Sequence, residues 1–333
     1  MKALDFDSFF EEVLKDRLAP LEAKRQQRLW ALWRILPLLA FVLVTCASYL
    51  WFIKAIQWWG YIIVVALIGV FVVSIFHFFF SHRNLPYEVE DVLQASLSDF
   101  LGNSFKPRGG YIPHHKFEAS KLFSTRIEHY DGENYFVSDG SMSNIMFSEL
   151  RASLPMESGW KDVFWGLFFV SEMMMPARTP VLIIPNEARQ GFGFQGDAIL
   201  EHHFHEEEEE LVNVLASEAD QRFAVYAGED KVAQGMLNKK FLDALNRAGQ
   251  RRYLKVAIRD SAAYVAIHLN HNWLQPDVSK KLTNPDNIRH YYEDAAMGIE
   301  LCKALSGGGG LGGGLGDIGD LGDLPSGLLM DDK

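Results

Sequence analysis

The sequence predicts an α+β protein with an N-terminal amphipathic helix, a two-helix transmembrane hairpin, a cytoplasmic domain of antiparallel sheet and helices, and a disordered glycine-rich tail. Three observations lead to this prediction. Two apolar runs, residues 35–53 and 60–80, are separated by a very short joint. Short alternating segments joined by turn residues, which are typical of antiparallel strands, recur through residues 87–305. Beyond them, residues 306–333 are mainly glycine, leucine and aspartate.

The leader, residues 1–34, is predicted to form an amphipathic helix on the cytoplasmic side. Its apolar side chains recur at helical spacing and make one stripe, formed by Phe6, Phe9, Phe10, Val13, Leu14 and Leu18. Such a stripe is typical of a helix with one buried side. The sequence is compatible with two surfaces that could bury it. One is the cytoplasmic leaflet of a membrane, with the helix lying in its plane. The other is the protein's own soluble domain.

The two apolar runs are predicted to form a transmembrane helical hairpin. Residues 35–53 include no charged side chain, and residues 60–80 include only His77. About 20 apolar residues suffice to cross a bilayer as a helix, although a buried hairpin in a large soluble core is the alternative. Basic residues flank the pair, at Lys24, Arg25, Arg28, Arg34 and Arg83, whereas the joint carries only Lys54. Since cytoplasmic flanks are enriched in such residues, both termini are expected in the cytoplasm.

Residues 87–305 are predicted to form a cytoplasmic α+β domain, either as one unit or as two subdomains split near residues 201–210. An Asp131-Gly132 pair predicts a hairpin turn, and a second hairpin is expected around Asp260-Ser261. The expected strands are residues 122–130, 135–138, 142–150, 162–170, 179–185, 222–227, 253–259 and 262–269, and the expected helices are residues 87–101, 237–248 and 285–305. The tail cannot bury enough surface to offset the entropy of its glycines, so it is expected to be disordered.

The net charge argues against a nucleic-acid-binding protein, and the cysteine content argues against a disulfide-stabilised one. The formal net charge is −11, so no net basic surface is available to neutralise the phosphates of a nucleic acid. The two cysteines, Cys46 and Cys302, cannot build a disulfide framework, which fits a reducing compartment.

Two local motifs raise the question of a cofactor or a metal. Residues 191–196 match G-x-G-x-x-G, but the dinucleotide motif must lie between a strand and a helix, and the interpretation favoured here is a turn with packed aromatic side chains. No cofactor and no catalytic residues are therefore assigned. His202, His203, His205 and Glu206 carry ligand types that suit zinc, and the alternatives are a solvated charge run or a boundary segment. Histidines beside carboxylates could also sense pH.

Three pieces of the sequence carry a resemblance to a known family: DVFWGLFFVSE, EADQRFAVYAGEDKVAQGMLNKKFLDALNRAG and YLKVAIRDSAAYVAIHL, at residues 162–172, 218–249 and 253–269. The chain resembles uncharacterised bacterial membrane proteins of the domain-of-unknown-function family 3137, over residues 87–305. The resemblance implies an α+β domain behind a transmembrane pair in the bacterial inner membrane, and it implies no activity or site residues. It also implies an assembly with LemA-type membrane proteins.

Three functions are compatible with these features. The first is a membrane-anchored, non-enzymatic scaffold or adaptor whose α+β domain presents a binding surface. The second is a metal-binding or pH-sensing membrane protein centred on residues 202–206. The third is a subunit of an oligomeric transporter or channel. The expected partners are the lipid bilayer and a second copy of the chain or other membrane proteins, and no nucleic acid.

Overall fold

The computed structural model describes the greater part of the chain. The described residues are 6–52, 66, 69, 73, 84–102, 104–123, 127–138, 144–156, 159–173, 176–186, 212–213, 222–228 and 237–306. Predictions for the other residues lie outside the described part, and they remain predictions.

The described strands form one antiparallel sheet, as the alternating segments predicted. In chain order the strands are β1 (Phe105–Arg108), β2 (His129–Ser138), β3 (Ile145–Met156), β4 (Gly159–Glu172), β5 (Val181–Pro185), β6 (Val212–Asn213), β7 (Phe223–Ala227), β8 (Leu254–Arg259) and β9 (Ala262–His268). Across the sheet their order is β1-β2-β3-β4-β9-β8-β5-β7-β6. The late hairpin β8–β9 therefore lies between β4 and β5, which joins the early and late parts of the domain in one sheet.

Helices precede and follow the strands. They are α1 (Phe6–Phe9), a π-helical turn (Phe10–Leu14), α2 (Lys15–Phe52), α3 (Leu85–Phe100), α4 (His114–Ala119), α5 (Lys239–Gly249), a 3-10 turn (Pro285–Asn287) and α6 (Arg289–Ser306). The start of α5 follows from local chemistry, because the side chain of Asn238 accepts a hydrogen bond from the backbone N–H of Phe241 at 2.8 Å, which satisfies a donor that the helix leaves unpaired.

Two predicted turns have opposite outcomes. The hairpin at Asp260-Ser261 is confirmed, and Asp260 has a φ of 49°, a left-handed conformation that aspartate tolerates. The turn predicted at Asp131-Gly132 is wrong, because both residues pair with β3 within the continuous strand β2. The pairing register shifts between Glu133 and Phe136 instead. A bulge of this kind lets the strand continue past a turn-like sequence.

Side chains are buried on both faces of the sheet. One face, with Phe147, Phe169 and Val265, packs against the long helices. There the ring of Phe169 occupies the space that a Cβ atom would need at Gly298, so a glycine is required for α6 to approach. The opposite face packs against the segment of residues 111–123, through Phe117 among others.

The leader packs on the domain, which settles the choice that the sequence left open. Phe6 and Phe9 are buried and lie 5.4 and 5.8 Å, between ring centroids, from Tyr292 of α6. Ion pairs join the polar side of the same helical segment to α3, with Arg17 at 2.7 Å from Asp99 and Lys24 at 2.6 Å from Glu88. The amphipathic stripe is therefore part of the protein's own core.

The predicted transmembrane hairpin is corrected. In the part of the chain that the structure describes, no helix is long and apolar enough to cross a membrane. The first apolar run does not form a separate span, since α2 is one helix that starts at Lys15 within the charged leader and ends at Phe52. Of the second run, residues 60–80, only residues 66, 69 and 73 are described. The predicted inner-membrane location depended on this hairpin and is overturned by the same finding.

Candidate functional site

The second part of α2 exposes apolar side chains along one face. We call residues 29–52 of this helix the arm. Trp33 is 78% exposed, Phe41 is 71% exposed and Val44 is 64% exposed. Because residues three or four positions apart share a face of a helix, these three side chains lie on the same side of the arm, together with exposed Pro37 and Ser48. Contiguous exposed apolar surface marks an interaction site.

A buried ion pair just before the arm fixes α2 to the domain. Arg25 donates two hydrogen bonds to the carboxylate of Glu22, at 2.8 and 2.7 Å. Glu22 also accepts from the backbone N–H of Leu282 at 2.9 Å, and Arg25 donates to the carbonyl of Ser279 at 3.1 Å. We call these four residues the clasp. They satisfy one another's polar groups out of water, so they hold α2 firmly on the 279–282 loop.

The electrostatics of the clasp follow from the same contacts. The hydrogen bond from Arg25 is the main reason that the pKa of Glu22 falls to about 2, against the opposing effect of burial. The hydrogen bond with Glu22 in turn raises the pKa of Arg25. The pair is therefore ionised throughout the physiological range, and the arm emerges from a rigid, charged base.

A second unusual group lies on the sheet face that packs against residues 111–123. Lys255 of β8 points its ammonium at the ring of Phe123, with 4.7 Å between Nζ and the ring centroid. His268 of β9 lies on the same face, 5.0 Å from the ring of Phe164 and 4.9 Å from that of Tyr253. We call these five residues the lysine–histidine site.

The side chains of Lys255 and His268 are both partly buried. Burial lowers the pKa of Lys255 to about 8. Burial, and then the charge of Lys255, lowers the pKa of His268 to about 3, so the imidazole is neutral at physiological pH. The Nε2 atom of His268 is buried and has no hydrogen-bond partner among the residues that the structure describes. Ionisable groups perturbed in this way, by desolvation and by one another, are typical of functional sites.

A buried carboxylate lies on the helix-covered face. Glu149 of β3 accepts a hydrogen bond from the backbone N–H of Trp273 at 2.9 Å and one from the indole of Trp165 at 3.3 Å. Burial raises the pKa of Glu149 to about 7 despite these donors, and the nearby charge of Glu133 adds to the rise. Glu90 is likewise raised in pKa, chiefly by burial. This cluster joins β3, β4 and the loop before α6. Its hydrogen bonds link these elements, which is a structural role.

A cleft of about 310 Å³ opens beside the end of α5, and Arg222, Arg251 and Arg252 are among its lining residues. Arg252 forms a bidentate pair with Asp294, at 2.8 and 2.9 Å. Arg251 pairs with Glu293 at 3.0 Å. Since Arg251 and Arg252 already have carboxylate partners, the cleft offers little uncompensated positive charge.

Most of the candidate site residues from the sequence analysis lie outside the part of the chain that the structure describes. His202, His203, His205 and Glu206, like the glycines of residues 191–196, lie outside the described part of the chain. Within the described ranges, no group of three or more histidine, cysteine, aspartate or glutamate side chains could hold a metal ion. Zinc binding at residues 202–206 therefore stays a prediction. Cys302 is fully buried and its pKa is raised to about 12 by burial, as expected for a thiol that packs in a core.

The sequence analysis missed the clasp and the lysine–histidine site. The clasp has a weak local signal, because Glu22 and Arg25 are spaced three apart on a helix. Lys255 has only its position in an alternating apolar strand, LKVAIR, where a charged residue normally faces solvent. Their partners, Leu282, Ser279 and Phe123, are distant in sequence, so no local pattern could have found them.

Fold and site together define an α+β domain with a helical arm. Residues 162–306 match a family model described as "Protein of unknown function (DUF3137)". The predicted resemblance is thus confirmed over these residues, which include Lys255 and His268 but not the arm. No curated protein matches the chain.

Among solved structures, one similar chain is the mycobacterial trehalose monomycolate transport factor A, TtfA. The identity is 10%, the TM-score is 0.35, and the similarity covers 65% of this chain and 96% of that chain.

Proposed function

We propose that the protein is a non-enzymatic scaffold in which the arm assembles copies of the chain and the α+β domain presents a binding surface. The observation that carries this proposal is the exposed apolar face of the arm, with Trp33, Phe41 and Val44 more than half exposed. Large aromatic side chains of this kind dominate the energetics of protein interfaces. The clasp supports a structural role, because it transmits the position of the arm to the domain.

A second copy of the same helix is the occupant that the arm fits best. The exposed face contains Trp33, Pro37, Phe41, Val44 and Ser48, which carry no charge, so two identical faces meet without repulsion. Their spacing of three or four residues is the spacing by which helices interdigitate. A symmetric dimer requires a surface that complements itself, and an uncharged face of mixed large and small side chains meets this requirement.

Photo-crosslinking in cells tests the proposal. A benzophenone amino acid is placed at position 33 or at position 44 of the full chain, and adducts are identified by mass spectrometry. The expected product is a covalent pair of two copies, joined between arm residues. The matched control has the same amino acid at Asp16, an exposed position of the same helix before the clasp, and gives no such pair.

Two results would contradict this function. The first is the absence of a two-copy adduct from either arm position while the protein is present and folded. The second is an adduct formed only with a different protein, which would make the arm a docking site for another partner.

A further inference from the structure

We propose that the C-terminal tail, residues 307–333, folds back onto a basic surface of its own domain through ion pairs between aspartates and basic side chains. This inference is independent of the scaffold function, since it concerns contacts within one copy of the chain. We call the surface around the end of α6 the basic end. Its members are all exposed, and they are Lys106, Arg108, Lys239, Lys240 and Lys303.

Contacts at the end of α6 bring these basic residues together. The side chain of Asn238, which caps α5 directly before Lys239, donates a hydrogen bond to a carbonyl in the last turn of α6 at 3.0 Å. The ammonium of Lys303 lies 6.0 Å from the ring centroid of Phe105, and Phe105 directly precedes Lys106 in β1. The first turn of α5, the last turn of α6 and the strand β1 therefore meet where the tail begins.

The residue from which the tail starts is held in place at this end. The hydroxyl groups of Ser306 and Ser171 lie 2.7 Å apart, which links the end of α6 to β4. The hydroxyl of Ser306 is also 2.9 Å from the carbonyl oxygen of Cys302 in the preceding turn. The tail therefore leaves the domain from a fixed point beside the basic end.

Carboxylates on the neighbouring elements are mostly paired with other cations. Glu300 of α6 pairs with Arg247 at 2.6 Å, and Glu172 of β4 lies 3.4 Å from Lys116. Asp243 of α5 is exposed and adds one negative charge. Among the described residues, the five cations of the basic end therefore leave an excess of positive charge around the start of the tail.

The tail carries the complementary charge and is long enough to reach this surface. It contains five aspartates and one lysine, and Asp317, Asp320 and Asp323 follow one another at intervals of three residues. Asp317 comes 11 residues after Ser306, and a glycine-rich linker of that length spans about 18 Å on average. The strand β1 is three strands from β4 in the sheet, a distance of about 14 Å. A tethered partner has a high effective concentration, so individually weak ion pairs suffice.

Zero-length crosslinking with a water-soluble carbodiimide tests this contact, because it joins a carboxyl to an amine only where the two groups touch. Full-length protein is treated at low salt, and the joined peptides are identified by mass spectrometry. The expected products join an aspartate of residues 317–323 to Lys239, Lys240 or Lys303. Because the pairs are ionic, their yield should fall about fivefold in 0.5 M sodium chloride, where screening acts within about 5 Å.

Lys161 is the matched control in the same sample. It is exposed, but it is ten residues from Ser171 along β4, about 33 Å away and beyond the average span of the tail. A mixture of copies with normal and heavy nitrogen shows whether each product joins one chain or two. The proposal would be overturned by equal yields at Lys161 and at the basic end, by products formed only between copies, or by yields that salt does not change.

A variant provides a second measurement that does not depend on crosslinking. Asp317→Asn, Asp320→Asn and Asp323→Asn are combined, and the amines are labelled with a succinimidyl ester at low salt. Without its tail partners, the basic end should be labelled about twofold faster than in wild type, whereas labelling of Lys161 should not change. Labelling of Lys239, Lys240 and Lys303 at the wild-type rate would show that the tail does not cover them.

Discussion

Glu149 shows how a single side chain makes the stability of the fold depend on pH. Its carboxyl is 4% exposed and its pKa is raised to about 7 from an ordinary value of 4.5. Between these two values the folded state binds more protons than the unfolded state, so this contribution to stability falls as the pH rises from about 4.5 to 7. The cost of ionising the buried carboxyl is about 3 kcal/mol.

The substitution Glu149→Gln should therefore stabilise the fold, relative to wild type, increasingly as the pH rises. The free energy of unfolding of the variant minus that of wild type is expected to increase by about 2 kcal/mol between pH 5 and pH 8. Denaturant unfolding at several pH values measures this difference. His268 has the opposite effect, because its lowered pKa makes the protein less stable as the pH drops below 6.5. That effect is the same in wild type and variant, so it cancels in the difference. The exposed Glu118→Gln is the control. A difference that does not vary with pH would show that Glu149 does not titrate in this window.

Gly166 illustrates a residue that is fixed by close backbone approach. A Cβ atom there would overlap the carbonyl oxygen of Ile267 on the neighbouring strand. We expect Gly166→Ala to destabilise the domain by about 2–4 kcal/mol, because the β4–β9 ladder must separate or bend. Gly109→Ala is the control, since nothing lies near the added methyl group at that position. Thermal unfolding that is the same for both variants would contradict the close approach.

At the scale of elements, the sequence predicted local patterns well and their partners poorly. The strand predicted at residues 162–170 lies within β4, and the helix at residues 237–248 corresponds to α5, because alternation and helical spacing are local signals. Asp131-Gly132 was misassigned as a turn, since the pairing of β2 with β3 over a long register outweighs the preference of two residues.

For the leader and the site residues, too, the sequence did not identify the packing partners. A helical stripe states that one face is buried but not what buries it, so a membrane and the domain itself were both compatible with Phe6 and Phe9. Glu149 and Lys255 each occur in alternating strands, where a charged residue suggests a solvent-facing position. Their burial is decided by Trp273 and Phe123, which are far away in the chain.

The clasp gives a prediction at the same scale. Arg25→Met should destabilise the docking of α2 by about 3 kcal/mol, because Glu22 would keep its charge in a buried position without its guanidinium. Hydrogen exchange should then become faster along residues 15–28 while the sheet remains protected. Lys15→Met, which breaks an exposed pair with Glu11, should change stability by less than about 1 kcal/mol. Equal exchange in both variants would mean that the clasp does not hold the helix.

For the whole molecule, the structure combines a firmly packed α+β domain with a helix that extends from it. The N-terminal segment closes the helical layer through Phe6, Phe9 and Tyr292, and the clasp orients the arm. Every side chain of residues 29–52 that the structure describes is exposed. The central claim is that this arm joins two copies of the chain.

The most direct test is the molar mass of the purified full-length protein, measured by light scattering during size-exclusion chromatography. We expect a species of two copies of the 37.8 kDa chain, and we expect Phe41→Lys combined with Val44→Lys to give a species of one copy with an unchanged circular dichroism spectrum. A wild-type protein that elutes as one copy at micromolar concentration, or a double variant that retains the mass of two copies, would contradict the claim.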